Sequence, residues 1–282
     1  MFLLIDLLFC LTEHLTQVNA NHRERPMPST EDTFRTRLAR GDRLVGSFIK
    51  TPTLHATEIL GSIGFDFVVV DEEHSPFDRA ATDAALFAAR ATGTAGLVRV
   101  PSPAAHHLLS VLDCGAAGVL VPHVASAALA AQVAAACRYR AGKRGYSGSV
   151  RSAGYGGGKM WDYIGAADAA TTVVAQIEDP EALDEIDAIA ATPGIDALFI
   201  GRGDLTAALG APTNDAPPIR DAVERIAAAA KRAGKPVMVF VGSMKEAEWL
   251  AGIGATAFVY ASDQGFMKSA ASKALADMRA LA

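Results

Sequence analysis

The feature that most constrains this chain is a rhythm. Eight short, β-branched apolar runs are each followed by a stretch of Ala-rich or otherwise helical character. The runs are Leu44 to Phe48, Phe67 to Val70, Gly96 to Val100, Gly118 to Val121, Thr172 to Ile177, Ala197 to Ile200, Val237 to Val241 and Ala257 to Tyr260. Most are apolar at successive positions, as strands covered on both faces must be. The helical patterns include Ala80 to Arg90, Ala104 to Leu112, Ala127 to Arg138, Glu181 to Ala191, Ile219 to Lys231 and Met244 to Ala251. Pro180-Glu181 opens one helix, Ser126 caps another, and Gly61, Gly115, Gly234 and Gly254 stand where helices stop. Eight strand-helix units predict an α/β fold of the closed (β/α)8 TIM-barrel kind, with a doubly wound open sheet as the alternative.

A chain of 282 residues with 50% hydrophobic side chains can bury one barrel-sized core without staples. The expected division is an N-terminal extension over 1–26 and a single barrel over 27–282. The opening MFLLIDLLFCLTEHL is apolar, but Asp6 interrupts it and no basic segment precedes it. It is also shorter than the roughly 20 residues a membrane span needs. Met27 is followed by a fresh helix-capping start, Pro-Ser-Thr-Glu-Asp, so translation is expected to begin there and residues 1–26 to be disordered or non-native. With 26 Lys+Arg against 31 Asp+Glu, a net charge of −5 leaves no footprint for nucleic acid. Cys10, Cys114 and Cys137 are too scattered for a disulfide framework or a zinc knuckle. The expectation is a cytoplasmic protein with no membrane or nucleic-acid partner.

One segment breaks the rhythm. Tyr139 to Ala170 is rich in glycine and carries Arg144, Arg151 and Lys159. Gly158-Lys159 is followed by Met160, so it is no P-loop. Long irregular segments of this kind are usually functional loops or interface arms, and this one is expected at the barrel rim.

A barrel works at the C-terminal ends of its strands, so the residues that follow each run are the candidates. They are Asp71, Glu72, Glu73 and His74; Arg99; His123; Gln176 and Glu178; Arg202, Gly203 and Asp204; and, from the first, seventh and eighth runs, Lys50, Ser243, Ser262 and Asp263. Glu178 and Asp204 on neighbouring strand ends suit a hard divalent cation such as Mg2+, with Mn2+ or Co2+ also fitting. Either could instead be a helix cap or a salt-bridge partner. His74 in an acidic loop reads as a general base or as a solvated imidazole. Arg99 needs an anion, either a structural carboxylate or an oxyanion developing on substrate. Asp113, in a helix-to-strand turn, reads alone as a cap or interface carboxylate.

Four blocks together resemble the HpcH/HpaI aldolase family of metal-dependent pyruvate aldolases. They are Gly64-Phe65-Asp66-Phe67-Val68-Val69-Val70-Asp71-Glu72-Glu73-His74, Val98-Arg99-Val100-Pro101, Val121-Pro122-His123-Val124, and Gln176-Ile177-Glu178 followed by Phe199-Ile200-Gly201-Arg202-Gly203-Asp204-Leu205. The resemblance implies a barrel of the phosphoenolpyruvate/pyruvate type, a homohexamer of dimers exchanging a C-terminal helix, and a role in aromatic or sugar acid catabolism. It implies cleavage of a 4-hydroxy-2-oxo acid to pyruvate and an aldehyde. Glu178 and Asp204 then resemble the metal ligands and His74 the base. Asp113 resembles the carboxylate that tunes that base, supplied across a subunit boundary, and Asp71 a further acidic neighbour. Arg99 resembles the enolate stabiliser, and Gln176, Gly203 and Asp204 the holders of the pyruvate carboxylate and keto oxygen. Two positions depart from the family pattern: Arg202 stands where proline is usual, and Glu72 where glycine is usual. Arg202 is expected to place a cation at the mouth and favour acidic aldehydes.

Two other readings compete. An acyl-CoA lyase of the citramalyl or malyl type shares the Arg, Glu and Asp, but the His74 block follows the aldolase pattern. A non-catalytic barrel, or an adhesion protein using Arg202-Gly203-Asp204, belongs to another class; here no catalytic group is missing, and three residues match by chance easily.

Overall fold

The apolar runs form eight parallel strands that close on themselves in sequence order. The computed structural model describes residues 32–281. The 1–26 extension and the Met27 start lie outside them. In chain order the elements are α1 (Phe34–Ala39), β1 (Leu44–Ile49), α2 (Leu54–Ile63), β2 (Phe67–Asp71), α3 (Arg79–Ala91), β3 (Ala95–Arg99), α4 (Ala105–Asp113), β4 (Gly118–Val121) and α5 (Ala127–Ala136). A 3-10 segment (Arg151–Gly156), α6 (Met160–Ala170), β5 (Thr172–Ile177), α7 (Pro180–Asp184), α8 (Ile186–Ala191) and β6 (Ala197–Ile200) follow. The chain ends with α9 (Arg202–Ala208), α10 (Pro217–Arg232), β7 (Val237–Val241), α11 (Met244–Gly252), β8 (Ala255–Ser262) and α12 (Asp263–Arg279). The open-sheet alternative is thereby excluded.

The two-residue period of a strand sorts side chains into two cores. Leu44 and Phe48, Phe67 and Val69, Leu97, Leu120, Val174, Ala197 and Phe199 fill the barrel interior. Val70, Val98, Val121, Val173, Ile177 and Leu198, one residue out of phase, pack under the helices. At the N-terminal end α1 plugs the barrel, with the Phe34 ring 5.1 Å from that of Phe67. The interior is therefore mostly packed hydrocarbon up to the strand ends, with the buried Thr172 at the start of β5 an exception, and the charged side chains of the inward phase lie at the mouth.

Three local expectations change. Glu181 to Ala191 is not one helix: Glu185 leaves the helical region, splits α7 from α8, and turns its carboxylate to accept from the Ala127 N–H at the head of α5. Gly61 does not end α2. Gly64, at φ 106°, does, whereas Gly61 lies inside the helix where a Cβ would come within 2.1 Å of Thr92 Oγ1. That glycine lets α2 approach the end of α3. Finally, the segment from Tyr139 to Ala170 lies between α5 and β5, as a helix-to-strand connection. Such connections run at the N-terminal end of a barrel, so within one protomer this segment is not the rim above the strand ends.

Candidate active site

The site begins with a matter of register. Asp71 at the end of β2 and Arg99 at the end of β3 are paired neighbours, both in the inward phase. Arg99 donates from Nε and Nη2 to the two Asp71 oxygens, each at 2.9 Å, and its guanidinium lies 4.7 Å over the Phe48 ring. Asp71 is fully buried. It also accepts from the His74 N–H at 3.2 Å and the Ser75 hydroxyl at 3.4 Å, with Lys50 Nζ 3.3 Å away. Burial alone would raise this carboxyl; the bonds and charge of Arg99, the His74 N–H and Lys50 overcome that and hold it below the usual carboxylate range. The two readings left open for Arg99 thus combine. A structural carboxylate fixes two of its nitrogens, and Nη1 stands outside that pairing on a side chain that lines the cavity.

Glu73 follows Asp71 by two and shares its phase. Its Oε2 lies 3.3 Å from Arg99 Nε and 3.7 Å from His74 Nε2, and its Oε1 3.7 Å from His123 Nε2. Burial pushes the Glu73 carboxyl up, against the pull of Arg99 and His123. Glu178, two past Gln176, is buried; it accepts from the Gln176 side-chain amide on Oε2 and from the His123 backbone N–H on Oε1 at 2.9 Å. Burial outweighs those bonds, and with the nearby charge of Asp204 it pushes the Glu178 carboxyl up to about 7. Gly201 makes room for it: a Cβ there would sit 2.6 Å from the Glu178 Cβ.

His123 sits just past β4 in the left-handed region, at φ 56°. Its Nδ1 lies 3.1 Å and 3.2 Å from the two Asp179 oxygens and 3.5 Å from Glu178 Oε1. Burial opposes its charge, but Asp179, Glu178 and Glu73 prevail and raise its pKa. Glu73, His123 and Glu178 each offer a ligand atom within 4.8 Å of the other two. Asp204, in the first turn of α9, is not one of this trio, although its charge raises both glutamates.

A cavity of about 430 Å3 opens at these strand ends, lined among others by Phe48, Lys50, His74, Arg99, Gln176 and Asp204. Gly203 lines it too. The structure therefore brings His74, Arg99, Gln176, Gly203 and Asp204 to one cavity, with Asp71 bonded behind Arg99 and Glu178 bonded behind Gln176. Asp113 is elsewhere. It ends α4 on the helix-to-strand side, accepts from Arg144 Nη2 at 3.2 Å, and lines a separate cleft with Arg79, Asp83, Arg151 and Tyr155. Within one protomer the carboxylate beside His74 is Glu73. A larger cavity of about 570 Å3, lined by Phe34, Leu112, Cys114, Arg144 and Tyr163 among others, contains none of the strand-end groups. Chemistry, not size, selects the smaller one.

Arg202 lines the smaller cavity, as expected, but does not stand free there. Its side chain is buried and donates from Nη2 to Glu246 at 3.0 Å and to the Phe240 carbonyl at 3.2 Å, so its charge also joins α9 to α11. Sequence reasoning had assigned no role to Glu73 or His123. The phase of β2 (Phe67, Val69, Asp71, Glu73) is the signal for the first; for the second the only signal is its place just after β4.

Do these residues suit a divalent cation? Glu73 Oε2 and Gln176 Oε1 are buried acceptors with no hydrogen-bond partner among the described residues. A buried Gln176 oxygen without a hydrogen bond, beside two carboxylates, Glu73 and Glu178, whose protonation is favoured, is what a hard cation would satisfy, although Glu73 Oε2 also faces the Arg99 charge. The donor set fits.

An eight-stranded parallel barrel with carboxylates and an anchored guanidinium at its C-terminal mouth defines a (β/α)8 enzyme built around an anion and a cation side by side. The chain belongs to the HpcH/HpaI aldolase/citrate lyase family, whose model matches residues 44–270. It is 36% identical to 5-keto-4-deoxy-D-glucarate aldolase of Klebsiella pneumoniae over 86% of this chain and 95% of that one. It is 34% identical to a hydroxypyruvate/pyruvate aldolase of Paraburkholderia phytofirmans, over 90% and 100%. A crystal structure of an HpcH/HpaI aldolase/citrate lyase family protein from Burkholderia cenocepacia superposes with a TM-score of 0.82 at 31% identity, over 87% and 98%. No helix among the described residues is long and apolar enough to cross a membrane.

Proposed function

We propose that this protein is a divalent-metal-dependent aldolase, a carbon-carbon lyase that reversibly cleaves a 4-hydroxy-2-oxo acid to pyruvate, or a close 2-oxo acid such as hydroxypyruvate, and an aldehyde. The observation that carries the reading is the pairing of opposites at one mouth: Arg99, held by Asp71, faces the same cavity as Gln176 and Asp204, with Glu73 and Glu178 alongside. Glu178 and Asp204 would hold the cation, with Glu73 beside them, and the cation when bound supplies a positive charge that lowers the energy of a 2-oxo acid enolate.

The chain's own groups do the rest. Gln176 and the backbone N–H groups of Gly203 and Asp204 hold the substrate carboxylate and keto oxygen. In the cleavage direction His74 takes the proton of the C4 hydroxyl, the C3–C4 bond breaks to release the aldehyde, and the electron pair moves into the enolate. Arg99 keeps its charge beside the enolate oxygen, a place Asp71 fixes before substrate arrives, so no reorganisation is needed as negative charge develops. Protonation at C3 completes pyruvate. Because Asp113 opens on the other end of the barrel, it serves His74 of a neighbouring subunit. A homo-oligomer, as a hexamer, supplies that neighbour. Its exchanged element is α12, of whose residues only Asp263 is buried while Met267, Leu275 and Met278 are exposed. Mg2+, Mn2+ or Co2+ fill the site, and the enzyme works in the cytoplasm.

The test is pyruvate release from a racemic 4-hydroxy-2-oxo acid by metal-stripped protein, with and without added Mn2+ or Mg2+, beside Glu178→Ala. Metal should restore release in the parent and not in the variant. Undiminished release in excess chelator would overturn the reading.

A further inference from the structure

We infer that His123 is itself a ligand of the cation, through Nε2, and that this chain therefore has a mixed nitrogen-oxygen site selecting Co2+, Ni2+ or Zn2+ over Mg2+. The inference rests on the metal-binding reading above and adds a residue and a selectivity to it.

Three features converge on that ring. The first is its direction. In β4 the inward phase runs through Leu120, so an extended continuation would turn residue 123 outward with Val119 and Val121. The left-handed backbone at His123, unfavourable for a residue with a Cβ, breaks the phase and is clamped by the bond from its N–H to Glu178 Oε1. A strained turn thus holds the imidazole against Glu73 and Glu178. The second is its tautomer. An ionised carboxylate only accepts, so the 3.1 Å contact to Asp179 requires the proton on Nδ1 and leaves Nε2 with a lone pair whenever the ring is neutral. A carboxylate behind a ligating imidazole is the usual means of orienting one. The third is spacing. Ligands about 2.1 Å from a common ion lie about 3 Å apart when adjacent and about 4.2 Å apart when opposite. His123 Nε2 is 3.7 Å from Glu73 Oε1, between those two spacings, while Glu178 Oε1 lies 3.5 Å from the Nδ1 of the same ring; ligand atoms of the three residues all lie within 4.8 Å, so a bound ion would draw them slightly closer.

His74, whose Nε2 lies 3.7 Å from the other Glu73 oxygen, is the alternative source of nitrogen, but among the described residues no carboxylate orients its Nδ1. Imidazole nitrogen favours the later first-row ions, whereas an all-oxygen set suits Mg2+ and Mn2+.

The experiment uses the full chain, metal-stripped. Mn2+-loaded protein is examined by pulsed electron paramagnetic resonance for coupling to a directly bound 14N, and Co2+ and Mg2+ affinities are measured by calorimetry. Coupling is expected in the parent, lost in His123→Gln and kept in His74→Gln. His123→Gln should also weaken Co2+ about tenfold or more while changing Mg2+ less than about threefold. Should the Gln variant melt early, His123→Asn serves in its place. Mn2+ binding without nitrogen coupling, or coupling that disappears with His74, would overturn the inference and leave the aldolase reading standing; His123 would then be only the counter-ion of Glu73, Glu178 and Asp179. Absence of any metal binding would overturn both.

Discussion

The Asp71-Arg99 pair should show a large and strongly coupled energetic signature. Removing the guanidinium by Arg99→Met leaves a fully buried carboxylate whose two best donors, both at 2.9 Å, are gone. Breaking a buried pair from one side costs about 3–5 kcal/mol. Here the residual partners, Lys50 at 3.3 Å, the His74 N–H and the Ser75 hydroxyl, place the cost near about 3 kcal/mol. Asp71→Asn is milder, about 2 kcal/mol, because Arg99 keeps Glu73 at 3.3 Å and the face of Phe48. In the double variant neither ion remains stranded, so the two losses should fall short of adding by about 1.5–3 kcal/mol. The assay is urea unfolding at one protein concentration, since subunit association would otherwise shift the midpoint. The sign with pH follows from the depressed Asp71 carboxyl: its stabilisation is present above the unfolded value of about 3.9 and is lost as pH falls through the native one. The gap between the parent and Asp71→Asn should therefore be open at pH 7 and close in acid. Additive losses, or a gap that widens in acid, would refute the idea that Asp71 holds Arg99 as a charged pair.

Four further outcomes are expected. Gly201→Ala puts a Cβ 2.6 Å from that of Glu178 and should weaken divalent-metal binding at least about tenfold in calorimetry, at a stability cost of about 1–3 kcal/mol. With the Glu178 carboxyl pushed up to about 7, protons compete with metal, so affinity should fall up to about tenfold per pH unit below 7; an affinity flat from pH 8 to 6 would contradict this. Arg202→Leu should cost about 1–2 kcal/mol by stranding Glu246 and the Phe240 carbonyl, and because the guanidinium lines the cavity already paired with Glu246, kinetics should show the acidic-to-neutral aldehyde preference changing less than about threefold. Deleting the chain after Gln264 removes most of α12 and should reduce the oligomer, read by light scattering after size exclusion.

How far the site could be read from residues alone depends on strand phase. Once Phe67, Val69 and Leu97 point into the barrel, Asp71 and Arg99 must point the same way, two residues further along. The same rule carries Gln176 to Glu178. These positions are legible because a parallel barrel repeats one geometry eight times, and an apolar run states its own phase through what its neighbours bury. Glu73 obeys the rule as well, and went unassigned only because an acidic triplet offers three carboxylates and no apolar neighbour to separate them.

Where the backbone leaves the strand, the rule lapses. Arg202 follows β6 at a spacing that leaves its direction undefined, and the helical turn it opens pairs the guanidinium with Glu246 on α11 while the side chain still lines the cavity. The charge expected at the mouth is there, but it is already paired. Asp113 fails differently: its place at the end of α4 puts it at the far end of the barrel whatever its chemistry, so it can meet a strand-end His74 only where two subunits do. His123 is the sharpest case. A single left-handed residue reverses the facing that the phase of β4 would give, and nothing in Val121-Pro122-His123-Val124 announces it, since the conformation is stabilised from outside by Glu178, 55 residues later. Phase is written locally and can be read; a strained turn is written in its distant partner, and only the folded barrel brings the two together.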